Sequence, residues 1–115
     1  MRLFIADNQA KVRYALRVLL EKNPDVRITG EARDKESLQA KISASDPDVL
    51  IIDWLLMDEP STEFIRKLRC NAPKIKIIIL SSRPEHRDEV LNAGADAFIS
   101  KIEPPDKLLA AISES

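Results

Sequence analysis

Four apolar runs of strand length restrict the fold of this chain more than any other feature: Leu3 to Ala6, Val49 to Ile52, Ile75 to Leu80 and Ala97 to Ile99. None carries a helical period, and runs that are apolar at every position read as strands of a parallel sheet covered on both faces. The segments between them change period. Val12, Ala15, Leu16 and Leu19 fall at i, i+3, i+4 and i+7, one apolar stripe of a helix, which leaves Arg13 and Arg17 toward water. A weaker fifth strand, Val26 to Thr29, follows the turn-rich break Asn23-Pro24-Asp25. A second helix is expected from Asp34, a capping residue, to just before Asp46-Pro47, with Leu38 and Ile42 inward. Phe64, Ile65 and Leu68 mark a third helix, Val90 and Leu91 a fourth that ends near Gly94. Leu108, Leu109 and Ile112 mark a fifth, entered through Pro104-Pro105. Strands alternating with helices through right-handed crossovers predict an α/β fold, a five-stranded parallel doubly wound sheet in a single domain over residues 1–115.

Composition narrows the chemistry. A chain of 115 residues can bury roughly two thirds of its unfolded surface, so it builds a core without disulfides or a structural metal. One cysteine and one histidine can form neither an internal disulfide nor a tetrahedral zinc site, which points to the reducing cytosol. Met1 and Arg2 lead straight into an apolar run far too short for a signal peptide or a membrane span. Only two glycines occur, Gly30 and Gly94, far apart, so no Gly-rich loop can cradle a nucleotide phosphate. A net charge of -1 gives no general attraction to nucleic acid. The basic set Arg66, Lys67, Arg69, Lys74 and Lys76 reads as a wet helix face and loop, Cys70 as a minor packing residue, and His86 as a solvated first-turn histidine.

In an open α/β sheet the site lies beyond the carboxyl ends of the strands. There the chain places Asp7 and Asn8 after strand one, Asp53 after strand three, Ser81 and Ser82 after strand four, and Lys101 after strand five. Taken singly, Asp7 is equally a turn former, Ser81 a satisfied turn hydroxyl and Lys101 a solvated strand-end lysine. Asp53 differs, because it interrupts a hydrophobic stretch continued by Trp54, Leu55, Leu56 and Met57 at a desolvation cost. Two carboxylates, an amide, hydroxyls and an ammonium at one edge suit Mg²⁺, which prefers oxygen ligands, and a phosphoryl group neutralised by lysine.

Four segments then carry a resemblance: Leu3-Phe4-Ile5-Ala6-Asp7-Asn8, Pro47-Asp48-Val49-Leu50-Ile51-Ile52-Asp53, Ile78-Ile79-Leu80-Ser81-Ser82, and Gly94-Ala95-Asp96-Ala97-Phe98-Ile99-Ser100-Lys101. In this order and spacing the chain resembles, over nearly its whole length, receiver domains of bacterial two-component response regulators. The resemblance implies a flavodoxin-like (βα)5 fold and a phosphoryl group accepted on Asp53 from a sensor histidine kinase or a small donor, with Mg²⁺. It also implies metal ligation by Asp7, Asp53 and the Leu55 backbone carbonyl, with Asn8 a weak further ligand, and a phosphoryl group held by Ser81 and Lys101. Ser81 and Phe98 would form the switch, Phe98 packing inward, and partners would meet the face of helix four, strand five and helix five, where a homodimer could form. Gly30-Glu31-Ala32 resembles receivers that precede helix-turn-helix output domains, which leaves two arrangements open: a stand-alone shuttle, or the front half of a longer regulator with a DNA-binding domain beyond residue 115.

Some positions depart from the family pattern. Asn8 stands where a second acid is usual, which removes a charge from the metal site. Leu56-Met57 replaces the usual Met-Pro pair, and Ser61, after Pro60, replaces the loop glycine, so that loop should take another path. Ile102 replaces the usual proline and implies a trans peptide bond before it. These departures raise a rival reading, an atypical receiver that works as a phosphorylation-independent interaction module. A Mg²⁺-dependent phosphohydrolase is a further alternative, but such enzymes need an acid two residues after the nucleophile, where this chain has Leu55. A flavin-binding domain is disfavoured because Asn8-Gln9-Ala10-Lys11 lacks the donors for its phosphate. Trp54, next to Asp53, offers a fluorescence reporter.

Overall fold

The computed structural model describes residues 1–56 and 61–113. Five strands, β1 (Arg2–Ala6), β2 (Arg27–Ala32), β3 (Val49–Asp53), β4 (Lys76–Ser81) and β5 (Ala97–Ser100), form one parallel sheet in the order β2-β1-β3-β4-β5. Five helices alternate with them: α1 (Ala10–Glu21), α2 (Lys35–Ser45), α3 (Ser61–Asn71), α4 (Arg87–Ala93) and α5 (Pro105–Ser113). The doubly wound arrangement expected from the apolar runs is therefore the observed one. Two 3-10 turns extend it, Trp54–Leu56 after β3 and Pro84–His86 before α4.

Each face of the sheet has its own core, because successive strand residues point to opposite sides. Leu3 and Ile5 join Leu16, Leu20, Ile51, Ile78, Leu108 and Ile112 under α1 and α5. Phe4 and Ala6 join Leu38, Leu50, Ile52, Ile65, Ile79 and Val90 under α2, α3 and α4. Asp34 caps α2 as expected, accepting from the Ser37 amide at 2.7 Å, while the Ser37 hydroxyl reaches back to the Asp34 amide at 3.3 Å. Gly94 ends α4 at φ 121°, a conformation that a side chain would strain.

β2 runs on past Thr29 to Ala32, and the pairing of β1 with β2 slips between Leu3 and Phe4. Gly30 then lies opposite Phe4, where a Cβ would sit 2.6 Å from the ring. The other differences concern polar side chains. Arg13 does not face water; its guanidinium donates to the Asp7 carbonyl at 2.6 Å and pairs with Glu31 at 3.5 Å. Arg17 pairs with Glu31 and Glu21. Arg69 leaves the wet face to bond the carbonyls of Pro73, Ile75 and Gly94 and the Asp96 carboxylate. Lys76 donates to the Ala111 carbonyl at 3.0 Å. Cys70 is exposed and does not pack. The expected path of the loop at Met57 and Pro60 lies outside the described residues.

Candidate functional site

The sheet register builds the site. Ala6 pairs with Ile52 and Asp53 with Leu80, so Asp7, the residue after β1, comes level with Asp53 at the carboxyl edge. Ser81 pairs with Ser100, and the Lys101 amide donates to the Ser81 carbonyl at 2.8 Å. The Asp7 amide is held by the Ala32 carbonyl of β2 at 3.0 Å.

Asp7 and Asp53 are 1% and 2% exposed, a degree of burial that carboxylates rarely accept without a partner. Lys101 supplies it, its Nζ lying 2.7 Å from Asp53 Oδ1 and 3.3 Å from Asp7 Oδ2. Asp7 Oδ1 accepts from the Gln9 amide at 2.9 Å. Among the described residues Asp53 Oδ2 is buried with no hydrogen-bond partner. Burial pushes the Asp53 carboxyl above its ordinary value; the Lys101 bond opposes this and the Asp7 charge adds to it. Burial pulls the Lys101 ammonium down, but the two carboxylates outweigh it and its pKa is raised.

Ser81 is buried at the same edge, yet its hydroxyl is engaged elsewhere, accepting from the Arg83 amide at 3.0 Å. Leu55 is 67% exposed, so its apolar side chain points out of the site, and no acid stands two residues after Asp53. Asn8 is exposed beside Asp7. Phe98 is 5% exposed, so its ring already lies inward and requires no swing to become buried. Among the described residues no three His, Cys, Asp or Glu side chains cluster to hold a metal. The donor set present is two carboxylates with one orphaned oxygen, suited to a hard cation that keeps most of its own water.

Two features escape a reading by spacing. Glu31 holds Arg13, and Arg13 holds the Asp7 backbone, so the carboxylate is positioned from α1 and β2 together. The i, i+4 placement of Arg13 and Arg17 was the signal, legible only once Glu31 is known to lie on β2. His86 is half-buried rather than fully solvated: its ring stacks on Trp54, centroids 4.4 Å apart, and its Nδ1 lies 2.7 Å from Glu89.

A family model described as the response regulator receiver domain matches residues 3–113. The chain belongs to that family. Among curated relatives, the phosphate regulon transcriptional regulatory protein PhoB of Escherichia coli K12 is 30% identical over 115 residues, covering 96% of this chain and 49% of that protein. A protein-glutamate methylesterase/protein-glutamine glutaminase of Bradyrhizobium diazoefficiens is 31% identical, covering 94% of this chain and 30% of its own length. The isolated REC domain of RcsB from Salmonella enterica serovar Typhimurium, solved with the phosphomimetic BeF3-, superposes with a TM-score of 0.89 at 25% identity, over 98% of this chain and 86% of that one. This receiver domain spans about half the length of the PhoB relatives it matches. It is a signalling domain of the two-component class, and no helix among its described residues is long and apolar enough to cross a membrane.

Proposed function

We infer that this receiver accepts a phosphoryl group on Asp53. The observation that carries the reading is the buried carboxylate whose Oδ1 is held by Lys101 at 2.7 Å while Oδ2 has no partner among the described residues. A carboxylate oxygen of Asp53 attacks phosphorus, the oxygen–phosphorus bond of the aspartyl phosphate forms, and the bond from phosphorus to the donor breaks with its electron pair leaving on the donor. Catalysis is positioning and charge neutralisation, since little covalent work falls on the protein. Lys101, already fixed by both carboxylates, neutralises one phosphoryl oxygen. Ser81 gives up its bonds to Arg83 and donates its hydroxyl to another. Mg²⁺, held by Asp7, Asp53 and the Leu55 carbonyl with Asn8 as a weaker ligand, would supply the remaining positive charge. The switch falls on Ser81 and the segment that follows it, because Phe98 starts from the inward position.

The phosphodonor in this reading is a sensor histidine kinase, and the output a DNA-binding domain or a homodimer through α4, β5 and α5, as the PhoB and RcsB likenesses support. The domain itself turns over no external substrate beyond small phosphodonors. Retention of Asp7, Asp53, Ser81 and Lys101 in one constellation favours this over a phosphorylation-independent module. Incubation with acetyl phosphate and Mg²⁺ should add one phosphoryl mass to the intact protein and none to Asp53→Asn. No adduct at saturating donor rejects the reading.

A further inference from the structure

The chain has one histidine and one tryptophan, and the fold lays one ring on the other beside the phosphorylation site. Trp54 follows Asp53 directly. His86 ends the 3-10 turn that leads from Ser81 into α4. The rings are 4.4 Å apart at 20°, an offset or parallel stack, and Glu89 on the first turn of α4 holds the imidazole through Nδ1 at 2.7 Å. The segment between β4 and α4 is thus pinned at both ends. At its start the Ser81 hydroxyl accepts from the Arg83 amide at 3.0 Å and reaches the Arg83 carbonyl at 3.4 Å. At its far end His86 is clasped to the end of β3.

We propose that His86 is a positioning residue whose stack on Trp54 holds Ser81 in its resting arrangement, so that the clasp sets how readily Ser81 turns toward a phosphoryl group on Asp53. The proposal rests on the reading of Asp53 as phosphoacceptor. Turning Ser81 breaks its bonds with Arg83, and the Arg83 carbonyl, which also accepts from the His86 amide at 3.4 Å, stays in place to hold Ser81 while His86 is fixed on Trp54. A clasp that favours the resting arrangement lowers the population of the competent one, and the apparent rate falls by that fraction. The stack therefore opposes phosphorylation and opens when it occurs.

Two variants test this against the protein itself, His86→Ala, which removes the ring, and His86→Phe, which keeps a ring but loses the bond to Glu89. Because Trp54 is the single tryptophan, acrylamide quenching of its emission reads the stack directly. Quenching should rise in His86→Ala and stay near the wild-type value in His86→Phe. With acetyl phosphate and Mg²⁺, followed by intact mass, His86→Ala should be phosphorylated about two- to tenfold faster, the range an aromatic pair contributes, while His86→Phe stays within about twofold. Equal rates for His86→Ala and a phosphorylated wild type, or equal changes in both variants, overturn the proposal. If the wild type takes up no phosphoryl group, the reading of Asp53 fails separately, and unchanged quenching in His86→Ala then overturns the clasp as well. Should His86→Ala fail to fold by circular dichroism, His86→Leu takes its place with the same expectations.

Discussion

Asp53 is a residue the domain holds at some cost to its stability. Its burial outweighs the Lys101 bond, so its carboxyl titrates above the ordinary value of 3.8 when folded. A raised folded pKa means that the native state binds the proton more tightly than the unfolded chain. The stability that the protonated form contributes is present below 3.8 and is lost as pH rises through the folded value. Asn cannot ionise and mimics the protonated acid, so in metal-free buffer Asp53→Asn should melt above wild type at neutral pH, by about 1 kcal/mol or a few degrees. The gap should close on acidification past 3.8; a gap independent of pH would mean that desolvation of Asp53 is not the cause. The same residue shows what sequence could and could not reveal. A carboxylate interrupting an apolar stretch was visible as an anomaly, and so was the lysine after β5. That Lys101 bridges Asp53 and Asp7 was not visible, because the bridge spans most of the chain and depends on strand order.

At the scale of elements, β1, β3 and β4 are legible because nearly all their residues are buried and leave no polar alternation, and β5 because Ala97 to Ile99 is an apolar run, although as an edge strand it is buried at alternate residues only. β2 extends three residues beyond the stretch its sequence marks, since as one of the two edge strands it is only half-buried and Gly30 and Glu31 break its pattern. Caps were legible where the chemistry is local. Asp34 accepts from the Ser37 amide and hydroxyl, and these bonds lower its carboxyl pKa. A depressed folded pKa contributes stability that is present above the unfolded value and is lost as pH falls through the folded one. Asp34→Ala should therefore lower Tm by a few degrees at neutral pH, and the deficit should shrink below 3.8 as the wild-type cap protonates. Differential melting of the two proteins across that range checks the sign. A deficit that widens in acid would show that the cap does not act through its charge. The stacking of His86 is not legible for the opposite reason: its partner Trp54 lies on another strand's exit, and nothing within a helical turn announces it.

Across the whole molecule, near-neutral composition conceals a sharp local imbalance. Asp7 and Asp53 share one ammonium at the strand ends, and the position beside them that would add a third acid is Asn8. The folded edge is thus left one negative charge in excess, gathered only by the tertiary fold, while in the unfolded chain Asp7 and Asp53 lie far apart. A cation that binds this edge binds the native state and not the unfolded one, and mass action then raises the stability of the entire domain. At a hundredfold excess over its dissociation constant Mg²⁺ should add about 2.7 kcal/mol, seen as a rise in Tm of roughly 10 °C. The loss of an acid at Asn8 acts on the dissociation constant, so the midpoint of that rise should lie at higher Mg²⁺ than in Asn8→Asp, by roughly tenfold. EDTA should reverse the shift, and Asp7→Asn should abolish it while the domain still folds. A rise no larger than that from NaCl of matched ionic strength would place the effect in screening of surface charge and remove the metal from this edge.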